Sequence, residues 1–172
     1  MEERLDALQV ALTNEMREHE FYLNNARRTA NAVGKAMFQQ IAAEELEHYE
    51  RLQQLSEIWK KQEKWPATVP LQVKGTTVKD VLKAVVKKAA NTPAGDADDL
   101  QAIRTAIDFE AQGAAFYSRL RDQSTEAREK AFFALLASIE QEHFSSLKDT
   151  EEYLTNPAGW YQKAERSGLD GA

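Results

Sequence analysis

The sequence contains no cysteine, and only seven glycines and four prolines occur among its 172 residues. Without cysteine there can be no disulfide, no thiolate metal ligand and no cysteine nucleophile. The scarcity of glycine and proline, together with long stretches rich in Ala, Glu, Leu, Lys, Gln and Arg, favours an all-α fold.

Long hydrophobic runs are also missing. The first thirty residues contain no apolar segment of signal-peptide or membrane-spanning length. The net charge of −6 argues against nucleic acid or an anionic membrane as a main partner. We therefore expect a soluble, cytoplasmic protein with no membrane or nucleic-acid partner, folded as a single domain over residues 1–172.

Six helices are predicted from apolar periodicity and helix breakers. Four are long, one connects the two halves of the chain and one is short and C-terminal; the predicted ranges are about 2–30, 32–62, 98–122, 124–155, 77–90 and 157–166. The breaks between them are predicted at Trp65-Pro66, at Pro70 to Gly75 and at Asn91 to Asp99. In the last helix Asn156 is the predicted N-cap and Pro157 the first helical residue.

Each long helix carries apolar residues at alternating spacings of three and four, the pattern of the buried seam of a left-handed four-helix bundle. A glutamate interrupts this stripe near its middle in every long helix. In two of the helices a histidine follows three residues later. The interrupting residues are Glu15, Glu45 with His48, Glu110, and Glu140 with His143.

An internal repeat relates residues of about 5–55 to residues of about 100–150. Adding 95 to the residue number carries Glu15 to Glu110 and His48 to His143 without a gap. The chain is therefore predicted to be two related helical hairpins. Antiparallel pairing within each hairpin, and face-to-face packing of the two, would bring all six polar residues into one layer.

Such a layer needs neutralising charge. Buried carboxylates repel one another and lose hydration, at several kcal/mol per ion, and no Lys or Arg occupies the matching seam positions. Two divalent cations would balance four carboxylates, while two neutral imidazoles complete the ligand sets. Oxygen-rich ligands suit iron or manganese, with zinc as a further occupant. The alternative interpretation is a metal-free polar layer that fixes helix register.

The motifs NEMREHEFY, EELEH, FEAQGAAFY and IEQEH resemble the rubrerythrin branch of the ferritin-like di-iron proteins, over nearly the whole chain. The resemblance implies a ferritin-like bundle with two iron ions and activity towards hydrogen peroxide or dioxygen. By motif match, the implied metal ligands are Glu15, Glu45, His48, Glu110, Glu140 and His143. Tyr22 and Tyr117 would donate hydrogen bonds to the carboxylates, the alternative being ordinary core aromatics.

Two features depart from that family's pattern. Full rubrerythrins carry a rubredoxin-like domain with four cysteines, so we expect this cysteine-free chain to take electrons from a separate donor protein. They also carry an additional glutamate where this chain has Gly113. Glu18, at the mirror-related place on the first helix, is a candidate replacement or else a solvated side chain. His19, one turn after Glu15, is a candidate metal contact or else a packed histidine.

The resemblance thus favours a di-iron oxidoreductase, a peroxidase or ferroxidase, that reduces hydrogen peroxide or dioxygen and forms a homodimer. Three alternatives remain open at the level of sequence: a ferroxidase that feeds an iron store, a protein that binds metal without turnover, and a purely structural bundle.

Overall fold

The structure is a computed structural model that describes residues 2–62, 74–88 and 94–169. Within these ranges the chain forms six α-helices and no strand, which confirms the all-α prediction. The helices are α1 (Glu2–Arg28), α2 (Ala32–Gln62), α3 (Val78–Lys88), α4 (Ala97–Gln123), α5 (Ala127–Thr155) and α6 (Pro157–Leu169).

Side-chain caps explain where the long helices begin and end. The predicted first helix ran to residue 30, but α1 ends at Arg28. Asn31 then caps α2, because its Oδ1 accepts hydrogen bonds from the N–H groups of Val33 and Gly34 at 3.0 and 3.1 Å.

The turn of the second hairpin is also longer than predicted. The expected start at residue 124 is wrong, since Ser124 ends α4 and α5 begins at Ala127. Glu126 is the N-cap of α5, and its side chain accepts from the N–H groups of Arg128 and Glu129.

The shorter helices follow their predicted signals, with shifted ends. Asn156 Oδ1 accepts from the N–H of Gly159 at 3.0 Å, as expected of an N-cap before Pro157. The last helix continues to Leu169 rather than 166. Residues 89–90 of the predicted connecting helix lie outside the described residues, as do the break at 65–66 and residues 70–73 and 91–93 of the other two breaks.

The helices pack as two hairpins. α1 lies along α2 and α4 along α5, while α3 packs against α2 and α5, and α6 packs against α5. The internal repeat predicted the two hairpins, and the whole is the ferritin-like four-helix bundle that the resemblance implied, with a connecting helix and a C-terminal helix. None of the described helices combines the length and hydropathy needed to cross a lipid bilayer.

Two apolar clusters fill the bundle and leave a polar layer between them. Along α2, Ile41 belongs to the first cluster and Leu52 to the second. Glu45 and His48 fall between these two residues and are fully buried. The hydrophobic burial above and below therefore holds the polar layer away from water.

Candidate metal centre

The polar layer contains one glutamate from each long helix and two histidines. All six side chains are at most 2 % exposed. α1 contributes Glu15, α2 contributes Glu45 and His48, α4 contributes Glu110, and α5 contributes Glu140 and His143. The structure thus brings together all six residues that the sequence singled out as candidate ligands.

These residues form two overlapping groups of four. In the first group, ligand-type atoms of Glu15, Glu45, His48 and Glu140 all lie within 4.8 Å of one another. In the second, the same holds for Glu45, Glu110, Glu140 and His143. Glu45 and Glu140 belong to both groups, so these two carboxylates could contribute ligands to a metal ion held in either group. Glu15 and Glu110 each belong to one group only.

The two histidines present their Nδ1 atoms to the carboxylates. His48 Nδ1 lies 3.1 Å from Glu15 Oε2 and 3.1 Å from Glu45 Oε2. His143 Nδ1 lies 3.1 Å from Glu45 Oε1 and 3.3 Å from Glu110 Oε2. Each histidine is therefore close to the unshared glutamate of its own hairpin and to the shared Glu45.

Several of these buried atoms have no hydrogen-bond partner within the described part of the chain. They are Glu45 Oε1, Glu110 Oε2, both carboxylate oxygens of Glu140, and His143 Nδ1. A buried polar atom without a partner costs about 1–3 kcal/mol, and more when charged. A cation among them would satisfy all of these atoms together, so the residues present fit a bound metal.

Burial and like charge perturb the titration of the layer. Burial, followed by the charge of Glu45, raises the pKa of Glu15 to about 8. The same two causes raise the pKa of Glu140 well above its usual range. Burial would also raise the pKa of Glu45, but the charges and hydrogen bonds of His48 and His143 together outweigh it and lower that pKa. Burial opposes the charged imidazoles, yet the surrounding carboxylates raise the pKa of both His48 and His143. Without metal, the layer therefore holds protons.

Two tyrosines connect the hairpins across the layer. The Tyr22 hydroxyl donates to Glu110 Oε1, and the Tyr117 hydroxyl donates to Glu15 Oε1. Burial, and then the charge of the accepting carboxylate, raises the pKa of each phenol. The phenols therefore stay protonated and remain hydrogen-bond donors to the unshared glutamates.

Glu18 lies beside the layer but belongs to neither group of candidate ligands. Its side chain is buried, with one carboxylate oxygen 3.4 Å from Arg17 Nη2. Burial, followed by the charges of Glu45 and Glu15, raises the pKa of Glu18 to about 9. The interpretation of Glu18 as a solvated side chain is therefore wrong.

His19 forms a hydrogen bond with the backbone of the neighbouring helix. Its Nδ1–H donates to the carbonyl oxygen of Ala42 at 2.6 Å, which joins α1 to α2. Neither group of candidate ligands includes it. The structure places His19 as a packed, hydrogen-bonded histidine.

Gly113 lies against one of the shared carboxylates. A Cβ atom at this position would lie 3.3 Å from Glu140 Oε2 and 3.4 Å from Glu140 Cδ. That spacing is tighter than ordinary van der Waals contact. The absence of a side chain at Gly113 therefore lets Glu140 lie close to the backbone of α4.

Sequence reasoning missed Glu44. His143 Nε2–H donates to Glu44 Oε2 at 2.6 Å. Burial would raise the pKa of Glu44, but the hydrogen bond and charge of His143, with further hydrogen bonds from Thr76 and Thr77, lower it to about 2. The repeat offers no signal for this contact, because position 139, which corresponds to Glu44, is Ile139.

The sequence also matches a known protein family. The model described as Rubrerythrin matches residues 6–151. The chain belongs to the rubrerythrin family. The matched range includes every residue of the polar layer, and the family together with the buried carboxylate and histidine cluster fits a di-iron site. Searches of curated proteins and of solved structures returned no match.

Proposed function

We propose that this rubrerythrin-family chain is a di-iron oxidoreductase that reduces hydrogen peroxide or dioxygen with electrons from an external donor. The observation that carries the proposal is the set of buried carboxylate and imidazole atoms that lack hydrogen-bond partners among the described residues. They lie in two groups of four that share Glu45 and Glu140. Four carboxylates with two imidazoles make an oxygen-rich ligand set of the kind that suits iron.

The chain's residues have separate roles in this proposal. Glu45 and Glu140 would hold both ions, while Glu15 with His48 and Glu110 with His143 would each complete one ligand set. Two bound ferrous ions would supply one electron each, and cleavage of one peroxide O–O bond consumes two electrons.

Hydrogen bonds and burial keep this arrangement in place. Tyr22 and Tyr117 orient the unshared glutamates through their hydroxyls. The apolar clusters on either side exclude bulk water, which strengthens every electrostatic interaction inside. Reduction of one peroxide to two waters would also consume two protons, supplied by solvent, while the raised pKa values of the two phenols keep their O–H groups protonated as donors to the unshared glutamates.

The proposal is tested with protein loaded anaerobically with ferrous iron. Mixing with stoichiometric peroxide should oxidise the iron rapidly. The oxidation is monitored by absorbance in a stopped-flow instrument. Glu45→Ala and Glu140→Ala should abolish this oxidation. Glu142→Ala is the matched control, because Glu142 lies on the same helix as Glu140 and is exposed. Unchanged oxidation kinetics in the first two variants would refute the proposal.

The same preparation distinguishes turnover from iron handling. A redox enzyme should keep a fixed iron content of two ions per chain when ferrous iron and air are supplied in excess. An iron content far above two ions per chain, in an assembly whose native mass corresponds to a multi-subunit cage, would contradict the proposal. It would indicate a ferroxidase that feeds a mineral store.

A further inference from the structure

The two histidines of the polar layer differ in what their outer nitrogens contact. His143 Nε2–H donates to the Glu44 carboxylate at 2.6 Å. The side-chain hydrogen bonds of His48 within the described part of the chain both involve its inner nitrogen, Nδ1. The internal repeat places Ile139 where the second hairpin would need a glutamate to match Glu44. The six candidate ligand residues therefore follow the internal repeat, whereas the hydrogen bond between Glu44 and His143 Nε2 has no repeat-related counterpart.

Glu44 is held firmly enough to orient an imidazole. Its Oε1 accepts from Gln40 Nε2 at 2.7 Å and from the N–H of Thr77 at 3.0 Å, at the start of α3. Its Oε2 accepts from His143. The side chain is 14 % exposed, so water screens these contacts only weakly. The positive end of the α3 dipole also favours a carboxylate at this place.

We propose that Glu44 is a positioning residue that makes the two metal positions inequivalent. The metal position lined by Glu110 and His143 then binds its ion before the metal position lined by Glu15 and His48. This inference rests on the metal centre of the proposed function. A carboxylate that accepts from the outer nitrogen keeps the proton on Nε2 and leaves Nδ1 bare for the metal. It also raises the basicity of the ligand nitrogen.

Glu18, which is also buried beside the layer, does not make this distinction. Glu18 has no counterpart in the second hairpin either, since Gly113 stands at the matching position. Its charge, however, acts on both unshared glutamates, Glu15 and Glu110. Glu44 contacts one histidine and not the other, so its effect is confined to one metal position.

The inference can be tested by nuclear magnetic resonance with Zn²⁺ as a diamagnetic probe. The chain has only three histidines, so ¹⁵N-histidine labelling gives three imidazole spin systems. In the wild-type protein loaded with Zn²⁺, His143 should show the Nε2–H tautomer. The first equivalent of Zn²⁺ should shift its Nδ1 signal, and the second equivalent should shift that of His48. His19 should not respond and serves as an internal reference.

The matched variants are Glu44→Gln and Glu47→Gln. Glu47 lies on the same helix and accepts from the N–H of Lys74 at 3.3 Å, but it contacts neither histidine. Glu44→Gln should weaken Zn²⁺ binding at the His143 position by about 10–100-fold and abolish the order of filling. Glu47→Gln should leave the order unchanged.

Three results would overturn the inference. They are a wild-type protein in which His48 responds first, one in which both histidines respond together, and a Glu44→Gln variant that keeps the wild-type order. The wild-type titration decides the question even if the variant does not fold. Zn²⁺ that shifts neither His48 nor His143 would instead remove the metal centre on which the proposed function also depends.

Discussion

The Tyr117 hydroxyl on α4 donates a hydrogen bond to Glu15 on α1. The two residues are 102 positions apart in the chain and belong to different hairpins. The repeat-related contact, from Tyr22 to Glu110, runs in the opposite direction. Each hairpin therefore steadies the unshared carboxylate of the other, which links the assembly of the bundle to the geometry of the candidate metal centre.

Replacement of Tyr117 by phenylalanine should destabilise the metal-loaded protein. Tyr117→Phe leaves Glu15 Oε1 buried without its donor, which costs about 1–3 kcal/mol. Each kcal/mol corresponds to a fall in Tm of about 2–4 °C for a chain of this length, which can be measured by calorimetry. Tyr161→Phe is the control, because the Tyr161 hydroxyl donates to the carbonyl of Val86, far from the polar layer. Equal losses of Tm in the two variants would contradict a role for Tyr117 at the layer.

The shared and unshared glutamates should differ in how much metal their loss removes. Glu140→Gln should abolish binding of both ions, because Glu140 belongs to both groups of candidate ligands. Glu15→Gln should remove only the ion on the His48 side, because Glu15 belongs to one group. Elemental analysis after iron loading and gel filtration measures the content directly. Identical iron content in the two variants would show that Glu140 does not bridge.

A methyl group at position 113 should weaken metal binding. In Gly113→Ala the new Cβ lies 3.3 Å from Glu140 Oε2, so the carboxylate must shift by a few tenths of an ångström. Metal ions would resist that shift, whereas the metal-free protein can absorb it. Overpacking of this kind costs about 1–3 kcal/mol. We therefore expect the Gly113→Ala variant to bind metal with lower affinity than the wild-type protein, as measured by competition with a chelator.

Gly34→Ala is the control for this prediction. A Cβ at Gly34 finds its nearest neighbour at 3.7 Å, an ordinary contact. Metal affinity should be unchanged, and Tm should be equal or slightly higher because alanine has the better helix propensity. A Gly113→Ala variant that binds metal as tightly as Gly34→Ala would show that Glu140 has room to move.

The metal-free protein should lose stability as pH rises from about 5 to 9. Glu15 and Glu18 have pKa values raised from 4.5 to about 8 and about 9, so in this range the folded state binds protons that the unfolded state has released. The raised pKa values of His48 and His143 act in the same direction above the ordinary histidine pKa of 6.5. The lowered pKa of Glu45 affects stability only below 4.5. Thermal unfolding of chelator-treated protein across this range measures the effect.

Two comparisons sharpen the pH experiment. Glu18→Gln keeps a neutral side chain of the same shape, so the fall in Tm with pH should become shallower. Metal binding displaces protons from the layer and therefore strengthens with pH, so the difference in Tm between loaded and metal-free protein should widen. A metal-free Tm that is flat or rises between pH 5 and 9 would show that the layer does not hold protons.

Local patterns were enough to predict the helices and the residues of the polar layer. The spacing of three and four places Glu45 and His48 on one helix face, and the same rule applies to Glu140 and His143, because side-chain direction within a helix depends only on its period. The repeat then predicted two hairpins, which the structure confirms. Helix ends were less certain, since the caps at Asn31 and Glu126 depend on side-chain hydrogen bonds to particular N–H groups.

Contacts between helices could not be predicted in the same way. The sharing of Glu45 and Glu140, the donation from Tyr117 to Glu15 and the contact from His143 to Glu44 all join different helices. Each depends on how far neighbouring helices rotate and slide against one another, and packing of the whole core sets those quantities. Glu44 shows the difference most clearly: its helix position predicts a partly solvated side chain, yet the approach of α5 brings His143 within 2.6 Å of it.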